Sequence, residues 1–242
     1  HPVFCVYSTF LQRAYDQLLH DVCLQNLPVV LSITHCGLVG EDGVTHQGIY
    51  TPSYFNELPN LTILSPSCGS ELRLMLEYAL EIPGPVAVCY PAKGPMTLPD
   101  VPVTTVQSLR SSQWQPIWQE EGSDTVLLTF SGMLIPALEA AKRVGGVDVV
   151  SCRWLKPLPE QALTDVFQRY RRVYTLEDNA LSGGFGSTVL QWANERGWSD
   201  RVGLMGHRDT LVQHGDLARL YRDCGLDAAG IATRIAQERS RT

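Results

Sequence analysis

Apolar residues along the chain alternate between short continuous runs and stretches with helical spacing. Val3–Tyr7 is a β-type run. Over Phe10–Gln25, Leu11, Ala14, Tyr15, Leu18, Leu19 and Val22 recur at three- and four-residue steps, which predicts a helix that Ser8 or Thr9 can cap. Val29–Ile33, Leu61–Leu64 and Val86–Cys89 are further β runs, and Ser65-Pro66-Ser67 leads into a helix over Glu71–Leu80. A second series follows: strand Thr125–Phe130, helix Ile135–Val144, strand Val147–Cys152, helix Glu160–Tyr170 and strand Val173–Leu176. Gly183-Gly184-Phe185-Gly186 then precedes a helix over Thr188–Arg196, a last strand at Val202–Met205 and a helical end. Buried strands separated by helices indicate an α/β fold with two parallel-sheet domains.

The alternation dissolves between Pro95 and Ser123, a polar stretch that contains Pro95, Pro99, Pro102 and Pro116. The expected organisation is a domain over residues 1–94, a linker over 95–123 and a domain over 124–242. The 44% hydrophobic and 18% charged fractions of the 242 residues are those of a globular chain. A net charge of -6 argues against a general nucleic-acid binder, which needs a basic face. No run approaches the roughly 20 apolar residues that span a bilayer, so no membrane association is expected. The N-terminus lacks the order of a secretory signal and enters a strand directly after His1-Pro2, as a fragment would. The seven cysteines include no CxxC, and most sit in apolar runs. They read as free thiols of a reducing compartment, which points to the cytoplasm.

Open α/β sheets bind ligands beyond the carboxyl ends of their strands, and two loops have that position. Thr34 to Gly48 carries four glycines, Glu41, Asp42, His35 and His46 directly after a buried strand. Its glycines allow close backbone approach, and its histidines can move protons near neutral pH. A solvated surface turn is the competing reading of this stretch. His35, Cys36, Asp42 and His46 also offer metal-ligand atoms, but their spacing matches no common zinc pattern, so no metal site is expected. The second loop, Glu177 to Ser187, ends in a glycine-rich turn at a helix start, which can bind an anion through free N–H groups. Tight packing is the favoured reading there.

Several blocks resemble the 1-deoxy-D-xylulose-5-phosphate synthases of the transketolase superfamily. They are Tyr7-Ser8-Thr9-Phe10-Leu11-Gln12-Arg13-Ala14-Tyr15-Asp16-Gln17 with His20-Asp21-Val22, Gly37-Leu38-Val39-Gly40-Glu41-Asp42-Gly43 with Thr45-His46-Gln47-Gly48, Pro66-Ser67 and Tyr90-Pro91. Arg153-Trp154-Leu155-Lys156-Pro157-Leu158, Glu177-Asp178-Asn179 with Gly183-Gly184-Phe185-Gly186-Ser187, and Gly225 to Ile231 continue the match in the second half. The resemblance implies a partial transketolase pyrimidine-binding domain followed by a transketolase C-terminal domain. It implies a transferase that condenses pyruvate with glyceraldehyde 3-phosphate to 1-deoxy-D-xylulose 5-phosphate, a precursor in isoprenoid, thiamine and pyridoxal synthesis. Thiamine diphosphate with magnesium is the implied cofactor, and a homodimer the implied assembly.

Residue by residue, the resemblance implies that Phe10 stacks on the cofactor's aminopyrimidine and that Tyr7 and Arg13 face the substrate. Asp42 and His46 would lie over the thiazolium, orient pyruvate and assist proton transfer. Two arginines of the family pattern are replaced, one by His35 and one, with a residue inserted, by Lys93. Both replacements weaken an anion contact, since neither offers the planar guanidinium fork. The glutamate that activates the cofactor and the G-D-G…N motif that holds diphosphate and magnesium find no counterpart, so a missing N-terminal domain or partner subunit is expected. The β subunit of a split transketolase or 2-oxo acid dehydrogenase is one alternative, and a non-catalytic assembly module on the same scaffold is another.

Overall fold

The computed structural model describes residues 1–92 and 105–240. These residues form two five-stranded sheets. The first contains β1 (Val3–Tyr7), β2 (Val30–Thr34), β3 (Thr62–Leu64), β4 (Val86–Cys89) and β8 (Trp154–Lys156), in the order β1-β2-β4-β3-β8. The second contains β5 (Gln115–Trp118), β6 (Thr125–Thr129), β7 (Val147–Ser151), β9 (Arg172–Ala180) and β10 (Val202–His207), in the order β10-β9-β6-β7-β5. Four neighbouring strands of each sheet are parallel, with helices between them in the chain. The β6 and β7 sequences, TVLLT and VDVVS, are buried at every position, as strands covered on both faces must be.

Each sheet also has an antiparallel edge that the pattern of apolar runs does not disclose. β5 pairs antiparallel with β7, and β8 pairs antiparallel with β3. Residues 105–123, read from composition as irregular, contain a helix at Val106–Arg110 and all of β5. These elements form because Leu109 and Trp114 are buried and the Trp114 indole donates to the Trp154 carbonyl at 3.0 Å. The helix expected at Phe10–Gln25 is a helical run from Ser8 to Cys23 that changes its winding and ends in a π-turn at Leu18–Cys23. Leu11, Leu18 and Cys23 all face the core, and the five-residue step from Leu18 to Cys23 needs that wider turn.

β8 carries the second half of the chain into the first sheet. Arg153, just before it, is buried against the equally buried Glu71 of helix Gly69–Ala79, with Nη1 3.2 Å from Oε1. The Ser67 amide and hydroxyl donate to the other Glu71 oxygen at 2.5 and 2.6 Å, and Arg153 donates to the Gln113 carbonyl. The Trp154 indole donates to the Leu109 carbonyl at 3.1 Å. The Lys156 ammonium meets the carbonyls of Phe55, Asn56 and Leu58 at the end of helix Thr51–Asn56. The main apolar core therefore runs through both halves, from Leu11, Ile33, Phe55 and Cys89 to Val126, Phe130, Phe167 and Phe185. Among the described residues, no helix is long and apolar enough to cross a membrane.

Two expectations follow. Arg153→Met should destabilise the chain by about 3–5 kcal/mol, because Glu71 keeps its burial and loses its cationic partner; urea denaturation measures this, and a loss below about 1 kcal/mol would show that the pair is not what binds the halves. The continuous core should also make unfolding a single transition. Trp154 lies in the first sheet and the other four tryptophans, Trp114, Trp118, Trp192 and Trp198, lie outside it, so their fluorescence weights the second half while far-ultraviolet circular dichroism reports both. The two urea curves should coincide; a separate fluorescence transition would mean that the halves unfold independently.

Candidate functional site

The site forms where β1 and β2 end side by side in parallel, with Tyr7 opposite Thr34. Tyr7 is the last residue of β1, and the helical run that starts at Ser8 brings Phe10 and Arg13 to the same end of the sheet. Beyond β2 the chain makes a hairpin-like excursion closed by Gly37 and Gly48, which pair through hydrogen bonds of 3.0 and 2.8 Å. Gly48 has no room for a side chain, because a Cβ there would fall 1.8 Å from the His35 carbonyl oxygen. The excursion carries Asp42 and His46.

Its tip folds back over Tyr7. The Tyr7 hydroxyl donates to Asp42 Oδ2 at 2.9 Å. The Tyr7 ring stacks on His35 with centroids 3.8 Å apart and an interplanar angle of 19°. His46 stands edge-on to both Tyr7 and Phe10, at 5.8 and 5.6 Å. Tyr7 and Phe10 are 5.1 Å apart, and the Arg13 guanidinium lies 6.0 Å from the Phe10 centroid. Six of the residues singled out in the sequence, Tyr7, Phe10, Arg13, His35, Asp42 and His46, thus meet in one place. Lys93 lies outside the described residues.

The electrostatics of the cluster follow from partial burial. Desolvation, the hydrogen bond to Asp42 and that carboxylate's charge all push the Tyr7 hydroxyl well up, so it remains a donor at neutral pH. Burial pulls His35 below the ordinary histidine range, and the Asp42 charge only partly offsets this. His35 is therefore mostly neutral at pH 7 without a ligand, a weaker anion contact than its partial exposure suggests. Its φ of +61° places it in the left-handed region, a backbone strain that the surrounding contacts must hold.

Two pairs that reading the sequence passed over orient the histidines. The Thr34 hydroxyl lies 3.0 Å from His35 Nδ1, and the Thr45 hydroxyl lies 3.0 Å from His46 Nδ1. The signal was the same in both cases, a threonine directly before the histidine. Thr9 adds a further tie, its hydroxyl donating to the Thr45 carbonyl at 2.8 Å.

The second glycine-rich turn is already occupied from within. β9 extends through Glu177, Asp178 and Asn179, which the apolar pattern had assigned to a loop, because His207 of β10 continues the pairing as far as Ala180. The buried Glu177 carboxyl accepts the Phe185 and Gly186 amides at 2.9 and 2.8 Å, where helix Phe185–Asn194 starts. Burial pushes the Glu177 pKa up to about 7, against the pull of the Gly186 amide, Asn179 and the Phe185 amide. These helix N-terminal donors serve an internal carboxyl, so the turn is structural.

The open face of Phe10, whose residue is 48% exposed beside Tyr7 and His46, suits a flat heteroaromatic such as an aminopyrimidine. Among the described residues, no group of three or more His, Cys, Asp or Glu side chains could hold a metal ion.

Comparison with known proteins matches residues 1–94 to the transketolase pyrimidine-binding domain and residues 116–231 to the transketolase C-terminal domain. The chain is 42% identical over 235 residues to the 1-deoxy-D-xylulose-5-phosphate synthase of Thermus thermophilus, an alignment that covers 97% of this chain and 37% of that protein. It is 40% identical to 1-deoxy-D-xylulose-5-phosphate synthase 1 of Geobacter sulfurreducens, over 96% of this chain and 36% of that one. It thus spans little more than a third of these relatives. Among solved structures, a split-gene transketolase described as an inactive beta4 tetramer superposes with a TM-score of 0.83 at 25% identity, covering 98% of this chain and 75% of that one. Transketolase from Leishmania mexicana shares the fold with a TM-score of 0.78, over 98% of this chain and 34% of that one, at 20% identity. The chain accordingly consists of a transketolase pyrimidine-binding domain followed by a transketolase C-terminal domain, and over nearly its whole length it is similar to the C-terminal part of the 1-deoxy-D-xylulose-5-phosphate synthases.

Proposed function

We propose that the chain is the part of a cytoplasmic, thiamine-diphosphate- and magnesium-dependent transferase that covers the cofactor's pyrimidine and binds the substrates. The reaction is the condensation of pyruvate with glyceraldehyde 3-phosphate to 1-deoxy-D-xylulose 5-phosphate, which supplies isoprenoid and thiamine synthesis. The observation that carries the reading is the convergence of Tyr7, Phe10, His35, Asp42 and His46, 39 positions apart in the chain, onto one end of one sheet.

Thiamine diphosphate, when bound, supplies the carbanion chemistry that pyruvate decarboxylation needs. Phe10 offers it an aromatic face. The Tyr7 hydroxyl stays protonated and holds the Asp42 carboxylate in place. Thr45 occupies His46 Nδ1 and leaves Nε2 as the nitrogen that exchanges a proton with substrate. Arg13, beside Phe10, and His35, stacked on Tyr7, are the contacts for the acceptor's phosphate, and Lys93 is assigned the same task from the sequence.

Magnesium and diphosphate are assigned to a domain or subunit outside the chain. Edge strand β1 leaves Val3 and Phe4 about half exposed, at 52% and 50%. An apolar edge of this kind needs a cover, which supports assembly with a partner, a second copy included. The β subunit of a split transketolase is the second reading, favoured by the 98% coverage of this chain by the split-gene structure.

In the assembled enzyme, His46→Ala should lower kcat by roughly 10²–10⁴-fold, the range for a lost proton-transfer group, with a smaller change in the KM of the acceptor. A phosphate beside His35 favours the imidazolium, so acceptor affinity should be present at low pH and fall as pH rises through the bound-state pKa. His35→Arg should tighten the acceptor's KM by at least about tenfold, from a charged hydrogen bond of about 1.5–3 kcal/mol, and abolish that pH dependence. Steady-state kinetics from pH 5.5 to 8 measures both; an unchanged KM and profile in His35→Arg would remove His35 from the phosphate site. For the chain alone, calorimetry with thiamine diphosphate and magnesium should give no binding at micromolar concentration, and a sub-micromolar dissociation constant would place the diphosphate site within it.

A further inference from the structure

The excursion that carries Asp42 and His46 belongs to the first sheet by sequence, yet the second half of the chain holds its shape. The Leu38 amide donates to Asp178 Oδ2 at 3.0 Å, across 140 residues. The Tyr221 hydroxyl donates to the same oxygen at 2.6 Å, and His207 Nε2 lies 2.7 Å from Oδ1. Asp178 thus gathers three partners from three elements: the excursion, helix Leu217–Asp223 and β10. Gly37 is fitted to it, because with φ at +89° a Cβ there would come within 2.1 Å of Asp178 Oδ2.

Further ties repeat the arrangement along the excursion. The Gly215 amide donates to the Gly40 carbonyl at 3.2 Å, and the Ala180 amide to the Ile49 carbonyl at 2.7 Å. The Gln47 side chain accepts the Val39 amide and donates to the Gln213 carbonyl. Leu38 and Ile49 pack with Leu220, and with Val212, Leu217 and Tyr221, in a small apolar cluster apart from the main core. Only the tip, with Asp42 and His46, turns back toward Tyr7 and Phe10.

We propose that Asp178, with His207 and Tyr221, is a positioning cluster that sets the approach of Asp42 and His46 to the bound substrate. The proposal deepens the function given above and rests on the excursion being the reacting loop. A group that acts on substrate must be held by neighbours whose own positions are locked, and a misplacement of about 1 Å can cost on the order of a hundredfold in rate. Asp178 is suited to this because its carboxylate links the excursion's first amide to a side chain that is itself buried. The His207 side chain is 1% exposed and lies among Asp178, Glu177, Cys224 and the Tyr221–Asp178 pair. Burial alone lowers its pKa; the hydrogen bond to Asp178, with Cys224 beside it, overcomes this and pushes it up to about 9. The imidazolium therefore reinforces the clamp fully below the ordinary histidine pKa of about 6.5, and the reinforcement is lost as pH rises through about 9.

Hydrogen exchange of the 242-residue chain at pH 7 tests the clamp without reference to activity. Asp178→Asn should raise exchange of the amides at 38–48 at least tenfold while β6 and β7 keep wild-type protection. Tyr221→Phe, which removes one donor and no charge, should do the same to a smaller degree and serves if Asp178→Asn does not fold. Unchanged exchange at 38–48 in both variants overturns the proposal. In the assembled enzyme, Asp178→Asn should lower kcat about a hundredfold with less than a threefold change in either KM. His207→Gln should remove the wild-type fall of kcat as pH rises through about 9. If exchange rises while kcat and its pH profile stay those of the wild type, the clamp stands and the assignment of Asp42 and His46 as reacting groups falls.

Discussion

The buried pairing of Arg153 with Glu71 is the constraint on which the rest of the molecule depends. Two charges that far from water are tolerated only when each is fully hydrogen-bonded. Here Ser67 serves the carboxylate and the Gln113 carbonyl serves the guanidinium. Meeting those requirements draws residues 153–156 out of the second half of the chain and against β3, where β8 closes the edge of the first sheet. Trp154 and Trp114 then tie the segments together, the Trp114 indole donating to the Trp154 carbonyl and the Trp154 indole to the Leu109 carbonyl. The main core serves both halves as a consequence, and the first sheet has no complete edge without the second half.

This linkage puts the site under the control of residues far from it in sequence. The aromatic cluster of Tyr7, Phe10, His35 and His46 is local to the ends of β1 and β2. The excursion that supplies Asp42 and His46 has no regular structure beyond one turn of 3₁₀ helix at Gly40–Asp42 and the Gly37–Gly48 bridge. An unsupported loop of that length would sample many conformations, at a cost of about 1–2 kcal/mol per residue to order. Hydrogen bonds to the Asp178 carboxylate and the Gln213 carbonyl, and from the Ala180 and Gly215 amides, offset that cost from the second half. The C-terminal domain thus acts on the site without contributing a side chain to the aromatic cluster.

The same economy of donors explains the two acidic neighbours in β9. Glu177 and Asp178 are adjacent in sequence and point to opposite faces of the strand, as successive strand residues must. Glu177 turns inward to the amides of Phe185 and Gly186 and fixes a helix to the second sheet. Asp178 turns to the first half and receives Leu38. One dipeptide therefore anchors an element on each side of the sheet.

The sequence by itself was enough for the two α/β units, for nearly every parallel strand and for the membership of the aromatic cluster. These features rest on local periodicity and on blocks such as Tyr7 to Gln17 and Gly37 to Gly48, whose residue types carry their own chemistry. The antiparallel edges β5 and β8, the lowered pKa of His35, the extension of β9 and the internal use of the glycine-rich turn were decided only by the tertiary structure. Each depends on a partner distant in the chain: Trp154 for Trp114, the Tyr7 ring stacked on His35, β10 for the end of β9, and Glu177 for the free amides at Phe185 and Gly186. Periodicity records whether a side chain is buried, but not which distant group it meets, and in this protein those distant meetings shape the site.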